Sequence, residues 1–432
     1  MPQALKPQPL AQLQGLPRGA EGKQKEHYQG AAHGFKVSES SQKINQGGIK
    51  SHLMQPWRQE IERLCRSRFY EGNQVELLYR GPETFQRIFE AVAEARHLVC
   101  LEFYIYRNDE TGLELAELLK AKAREGVRVY LLYDHWGSFG TPRSFWRALR
   151  EAGVQVAASH PFKWASPGRY LHRDHKKLIV LDGRVAFTGG LNIADEYRGG
   201  LRRRARAWRD TGVLLRGPVA RGLLQAFRES WEHFSPLPLR AQVPPAEPCG
   251  SLPVIPIFAS SSRGRRRFRR LLYWSIGRAQ ESIHLTTAYF CPSRAMLAAL
   301  RAAARRGVKI RLLLPGISDV PPAQYAAMAH YEALLREGVE LYHYQGEVLH
   351  AKSYVFDRRW SIVGSANLDF QSLRYNDEGN VGILSEEFAR QMLQVFREDL
   401  EHSQALELRR WRQRPLCQKL KERFFVLFRR RL

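Results

Sequence analysis

Cysteine is scarce and poorly placed for cross-linking. Cys65, Cys100, Cys249, Cys291 and Cys417 are odd in number, far apart, and form no CxxC pair. A disulfide framework or cysteine-based structural zinc site is therefore not expected, and a reducing compartment is. Nor is there a run of ~18 apolar residues, the length that a membrane-spanning helix needs. The first fifty residues hold no apolar block resembling a signal-peptide core, so no export signal is expected. If the protein works on membranes, it should sit on them rather than cross them. Acidic residues are also in deficit: 43 Asp and Glu face 68 Lys and Arg, giving +25 and a pI near 10.1. That charge calls for an anionic partner. Nucleic acid and an acidic lipid surface both qualify, since each is held largely through phosphates.

At 432 residues the chain can fold as two or more domains. Residues 1–52 offer too little apolar surface to offset the entropy of ordering and read as a flexible polar tail. Beyond them a βαβ rhythm appears: strand 98–106, helix 113–124, strand 127–133. The same order returns about 180 residues later with strand 282–290, a helix around 296–305 and strand 307–314. Such a long period indicates two similar domains rather than a solenoid. The predicted domains are 53–235 and 257–402, joined by a proline-rich linker, 236–256. Arg263 to Arg270 read as a solvated helix start or a phosphate-attracting rim. The remaining segment, 403–432, is a basic amphipathic tail. In it Leu416, Leu420, Phe424, Leu427 and Phe428 share one helical stripe, with Arg429-Arg430-Arg431 at the end. Either this helix docks on the core or it lies in an anionic interface.

Two segments match at fixed spacing. His175, Lys177, Asp182, Gly189 and Asn192 in the first correspond to His350, Lys352, Asp357, Gly364 and Asn367 in the second. At a given position such a match arises by chance with a probability on the order of one in a million. Residues 175–181 and 350–356 are predicted strands, where alternate side chains share a face, so each His and Lys point the same way. Two domains meeting across a pseudo-twofold would bring both pairs to one phosphorus. One imidazole attacks and the other protonates the leaving oxygen. Lys177, Lys352, Asn192 and Asn367 then stabilise the equatorial oxygens without a metal or other cofactor. Glu378 and Asp210, each shortly after a motif, are the candidates to hold the far nitrogens of the imidazoles. Asp182 and Asp357 belong to the motif, yet seven residues of extended chain separate them from the histidines, so the turn is their expected station. His160, His172, His284 and His343 lack matching partners and read as structural. Trp164, Tyr289 and Phe290 suit core packing or a lipid pocket.

The twin HxKxxxxD segments resemble the phospholipase D superfamily, and most closely its bacterial cardiolipin synthases, across about residues 70 to 400. FTGGLNIADEY (187–197), WRDTGVLLRGP (208–218), the stretch 285–319 and LHAKSYVFDRRWSIVGSANLD (349–369) carry the likeness. It implies two similar α/β domains in pseudo-twofold arrangement with one shared active site. Catalytic positions would be His175, Lys177, Asp182, His350, Lys352 and Asp357, with Asn192, Asn367, Asp210 and Glu378 around the substrate. The implied reaction moves a phosphatidyl group from one phosphatidylglycerol to another through a phosphohistidine, with His175 the nucleophile and His350 the acid. An anionic phospholipid membrane is the implied partner, with no obligatory nucleic acid, and the inner membrane the implied location, occupied peripherally. A hydrolytic phospholipase D or a metal-independent nuclease is the alternative on the same site. The chain resembles the shorter synthases that lack amino-terminal membrane helices. It departs from the common pattern at Asp174, Lys176 and Gly190, where Asn, Arg and Ser are usual, and in 374–377.

Overall fold

The computed structural model describes residues 54–161, 172–199, 207–240 and 242–428. The expected tail 1–52, Trp164 and the terminal arginines 429–431 lie outside them. Fifteen strands, interspersed with helices, lie among the described residues. The first seven are β1 (Tyr70–Leu78), β2 (Leu98–Phe103), β3 (Arg128–Asp134), β4 (Gln155–Ser159), β5 (Lys177–Leu181), β6 (Val185–Gly189) and β7 (Gly212–Arg216). The next eight are β8 (Leu252–Phe258), β9 (Ser282–Thr286), β10 (Lys309–Pro315), β11 (Glu340–Tyr344), β12 (Ser353–Phe356), β13 (Trp360–Gly364), β14 (Gly379–Leu384) and β15 (Ser403–Ala405).

Their lateral order exposes the duplication. Running outward from β1 the first half reads β1-β7-β6-β5-β2-β3-β4, and from β8 the second reads β8-β14-β13-β12-β9-β10-β11, followed by β15. The two series are the same, and β1 pairs antiparallel with β8 at their junction, as a local twofold requires. β8 begins inside the expected linker, because Val254, Ile255 and Ile257 supply the alternation needed to pair with β14 and bury there. The domain boundary shifts at the other end too. Residues 54–65 are helical, and their Trp57 and Ile61 pack into the outer core of the second half, with Trp57 edge-on to Trp274 at 5.0 Å. Strand β15, in the expected tail, extends the second half by pairing with β11.

Strand alternation builds the layers. In β5, Leu178 and Val180 face a core shared with Val355, Val363, Val381 and Ile383 of the other half, while Ile179 and Leu181 face helices of their own half. The shared core also takes Phe227 and Trp231 from helix Val219–Phe234, and Phe388 and Met392 from helix Glu386–Glu401. Thus a continuous apolar layer, not a tether, fixes one half against the other. No described helix is long and apolar enough to cross a membrane.

Candidate active site

Both histidines sit just before their strands rather than within them. The backbone of 173–175 leaves the ladder and crosses to the other half, where the His175 amide donates to the Asp377 carbonyl (2.9 Å) and the Asp377 amide donates to the Arg173 carbonyl (2.8 Å). The second copy does the same: the His350 amide donates to the Arg209 carbonyl (2.8 Å) and the Arg209 amide to the Val348 carbonyl (2.9 Å). These bridges place the residue after Asp377 beside His175, and the residue after Arg209 beside His350. Glu378 accordingly lies 3.0 Å from His175 Nδ1, and Asp210 lies 2.6 Å from His350 Nδ1. Each carboxylate serves the imidazole of the opposite half. A carboxylate can only accept, so His175 Nδ1 carries its proton towards Glu378 and His175 Nε2 keeps a free lone pair; His350 Nδ1 faces both Asp210 and, at 2.8 Å, Lys352 Nζ.

The pocket is dry and crowded with cations. His175, His350, Lys177, Lys352, Asp210 and Glu378 are all buried. Burial pushes the His175 imidazole well below its ordinary range, and the ammonium groups of Lys177 and Lys352 and the His350 ring push the same way. His350 is lowered by burial and Lys352, against the pull of Asp210. Burial brings Lys177 down to about 7 and Lys352 to about 8. Glu378 rises to about 7, again through burial, although Lys177 and the Ser365 hydroxyl oppose the shift. Lys177 from one half perturbs His350, and Lys352 from the other perturbs His175. Since each imidazole is also bonded to a carboxylate carried by the other half, the two motifs meet at one site. Lys177 Nζ donates to the His175 carbonyl (2.7 Å) and lies 5.3 Å over the Tyr104 ring, and Lys352 Nζ donates to the His350 carbonyl.

The motif aspartates, grouped by sequence with the catalytic residues, stand instead at turns where each binds backbone amides. Asp182, at φ 50°, accepts from the amides of Arg96, His97 and Leu98 at 2.7 to 2.8 Å and so caps the start of β2. Asp357, at φ 48°, does likewise for Gln280, Glu281 and Ser282 before β9. Asn192 also departs from its expected station on phosphoryl oxygens. Its Oδ1 accepts from the Ile105 amide (3.0 Å), which ties down the segment after β2, and its Nδ2 donates to the hydroxyl of Tyr197 (2.8 Å) in the short helix Asp195–Arg198. Asn367 Oδ1 accepts from the Tyr289 amide at 3.2 Å after β9.

The departures from the usual pattern have local causes. A Cβ on Gly190 would stand 2.1 Å from Asp210 Oδ1, so the Asp210 carboxylate fills the space that a serine would need. In the other half the longer Glu378 leaves room for Ser365, whose hydroxyl donates to it at 2.5 Å. Asp174 and Lys176 belong together: Lys176 Nζ lies 3.1 Å from Asp174 and 2.8 Å from Glu102, all three buried behind His175. Lys176 is held charged: burial opposes this, but the two carboxylates outweigh it. Burial and Asp174 drive Glu102 upward, while burial of Asp174 is outweighed by Lys176, which keeps that carboxyl low. Behind His350 the flanking residues are instead apolar, Leu349 and Ala351.

Of the remaining expectations, Tyr289 does line the pocket, its ring 6.3 Å from His350, whereas Phe290 belongs to the core. His172, His284 and His343 pack on Tyr375, Phe396 and Tyr331. His160 reaches Asp377 at 3.4 Å. Arg265, within the expected solvated arginine cluster, is buried and pairs with Asp377 at 2.9 Å. Tyr104, Tyr197 and Trp208, ring neighbours of the two imidazoles at 5.0, 5.3 and 5.8 Å, were not singled out in the sequence. The signal available was weak: Tyr104 directly follows β2, and open α/β sheets place sites beyond the carboxyl ends of strands.

A duplicated α/β sheet that joins two His–Lys pairs in one pocket defines a phospholipase D-like enzyme. The family model described as "Cardiolipin synthase, PLD-like domain" matches residues 88–202 and 272–400, more than half of the chain, which belongs to that family. "Cardiolipin synthase 2" of Bacillus anthracis is 32% identical over 357 residues, covering 81% of this chain and 69% of that protein. "Cardiolipin synthase A" of Pseudomonas putida is 35% identical over 340 residues, 78% of this chain and 70% of the other. Among solved structures, phosphatidylserine synthase from Haemophilus influenzae shares the fold at TM-score 0.67 and 15% identity, over 87% of this chain and all of that one.

Proposed function

We propose that this chain is a cardiolipin synthase that works peripherally on the inner membrane, moving a phosphatidyl group between two phosphatidylglycerol molecules. One observation carries the reading: each imidazole is held through Nδ1 by a carboxylate of the opposite half, with two lysines alongside. His175 Nε2 attacks the phosphorus, and the bond to the glycerol headgroup breaks. His350 enters this step as the imidazolium that Asp210 supports, and its Nε2 gives a proton to the departing glycerol oxygen. Lys177 and Lys352 neutralise charge on the nonbridging oxygens. The primary hydroxyl of a second phosphatidylglycerol then attacks the phosphohistidine, its proton passes to His350, and the N–P bond breaks. Phosphodiesters are conserved in number, so no energy source is needed. The family, the relatives and the charge of +25 support a phospholipid substrate on an anionic surface.

The test incubates the purified chain with phosphatidylglycerol vesicles in the presence of a chelator. Cardiolipin and glycerol in equal amounts are expected. Phosphatidic acid in place of cardiolipin would mean that water is the acceptor and would overturn the transferase reading.

A further inference from the structure

The C-terminal helix Leu416–Leu427 is docked with its apolar stripe outward. Leu416, Leu420, Phe424 and Leu427 follow at steps of four, four and three, and are 76%, 65%, 55% and 75% exposed. Its inward face is held by other means. Glu422, 1% exposed, takes both guanidinium nitrogens of Arg414 at 2.8 and 2.7 Å. Gln418 donates to Glu422 (3.1 Å), and the Phe425 ring stacks on Tyr325 at 5.8 Å. An amphipathic helix ordinarily turns its apolar face to the core. Here the contacts of Phe425 with Tyr325 and of Gln418 with Met328 hold the opposite orientation, and the exposed Lys421 and Arg423 border the stripe on its two sides.

Other exposed apolar residues lie near the pocket. Among the described residues, eight of the ten exposed large hydrophobics are Trp136, Phe139, Ile317 and five at this helix, counting Phe428. Trp136 and Phe139 follow β3, and Ile317 follows β10, its counterpart in the other half. Asp134 accepts from the amides of both Trp136 (3.0 Å) and Asp174 (2.9 Å), the residue before His175. On the other side Asp319 accepts from the Tyr289 hydroxyl (2.6 Å), and Tyr289 faces His350. The helix Pro321–Met328, which follows directly, carries the Tyr325 on which the C-terminal helix docks.

We propose that this stripe, together with the two loop tips, is the surface by which the protein lies on an anionic lipid bilayer, with the catalytic pocket opening beside it. Apolar side chains bordered by cations on a rigidly held helix match an interface whose core is apolar and whose headgroups are negative. The inference deepens the proposed function, on which it rests for the identity of the surface, but its test reads binding rather than turnover.

Full-length protein is sedimented with vesicles of phosphatidylglycerol and phosphatidylethanolamine, and with phosphatidylcholine vesicles. Binding to the first should exceed binding to the second and fall with salt. Leu420→Glu/Phe424→Glu should lower partition at least tenfold and leave activity on detergent-dispersed lipid within twofold. Leu416→Gln/Leu427→Gln, a milder change, should lower it severalfold. Wild-type partition by both variants overturns the proposal. So does a wild-type dimer that the variants convert to monomer with vesicle binding unchanged, which would assign the stripe to a second copy. Loss of detergent activity in wild type, with vesicle binding intact, would refute the proposed reaction and leave this inference standing.

Discussion

Glu378 of the second half bonds the Nδ1 of His175 in the first at 3.0 Å. The arrangement makes neither half a complete catalyst, because the nucleophile's tautomer is set from across the shared core. Glu378→Gln replaces an acceptor with a group that can present N–H to the same nitrogen, favouring the wrong tautomer. A loss of ~10²–10⁴ in kcat is expected, by analogy with removal of the carboxylate charge in a serine-protease triad. Cardiolipin formation by quantitative lipid mass spectrometry checks it, and a rate within threefold of wild type would show that the carboxylate only packs.

The order of the two histidines can be read by trapping. After acid quenching with radiolabelled lipid, His350→Ala should retain a covalent adduct on His175 when the substrate carries an activated leaving group, and His175→Ala should retain none. An adduct on His350 would reverse the assignment. Lys177→Ala or Lys352→Ala should cost ~2–4 kcal/mol of transition-state stabilisation without removing the adduct.

Anion binding should draw in protons. The empty pocket holds Lys177 near 7 and Lys352 near 8, so at pH 8 much of their charge is absent. A bound phosphate or vanadate favours the ammonium forms and raises both values, so binding at pH 8 takes up protons and affinity weakens as pH climbs above 8. Calorimetry in buffers of different ionisation enthalpy measures the uptake; an enthalpy independent of buffer would contradict it.

Gly190→Ser tests the packing of the other carboxylate. Its new Cβ would meet Asp210 Oδ1 at 2.1 Å, so Asp210 must leave His350. kcat should fall ~10- to 100-fold with KM little changed, since proton delivery is disturbed and phosphate gripping is not. Steady-state kinetics that match wild type would mean that the carboxylate relocates without losing His350.

Lys176→Ala strands Glu102 and Asp174 without their cation. Removing one partner of a buried ion cluster costs about 3–5 kcal/mol, read as a lower urea midpoint at pH 7. Lys176→Ala with Glu102→Leu should recover part of the loss. An unchanged midpoint in the single variant would show that the cluster is solvated.

Much of this was legible along the chain. Apolar runs in the βαβ order announced the sheet, and repetition of His, Lys and Asn at equal spacing singled out the site. Yet the linker concealed β8: its prolines read as a connection, while its isoleucines and valine were needed beside β14. The burial of Lys176 was not visible in sequence, because one of its two counterions, Glu102, lies 74 residues earlier, although the other, Asp174, is two residues away. The C-terminal stripe was recognisable as amphipathic, but its direction was not.

Residue identity and spacing alone determined the duplication, the paired His and Lys positions and the excess positive charge, since each is a property of positions along one dimension. Which carboxylate meets which imidazole, where Asp182 and Asp357 act, and which face of the last helix meets solvent were decided only in the folded chain. Those are contacts between distant segments, fixed by how the two halves bury their common apolar layer and by how Phe425 of the last helix stacks on Tyr325, and no local periodicity encodes them.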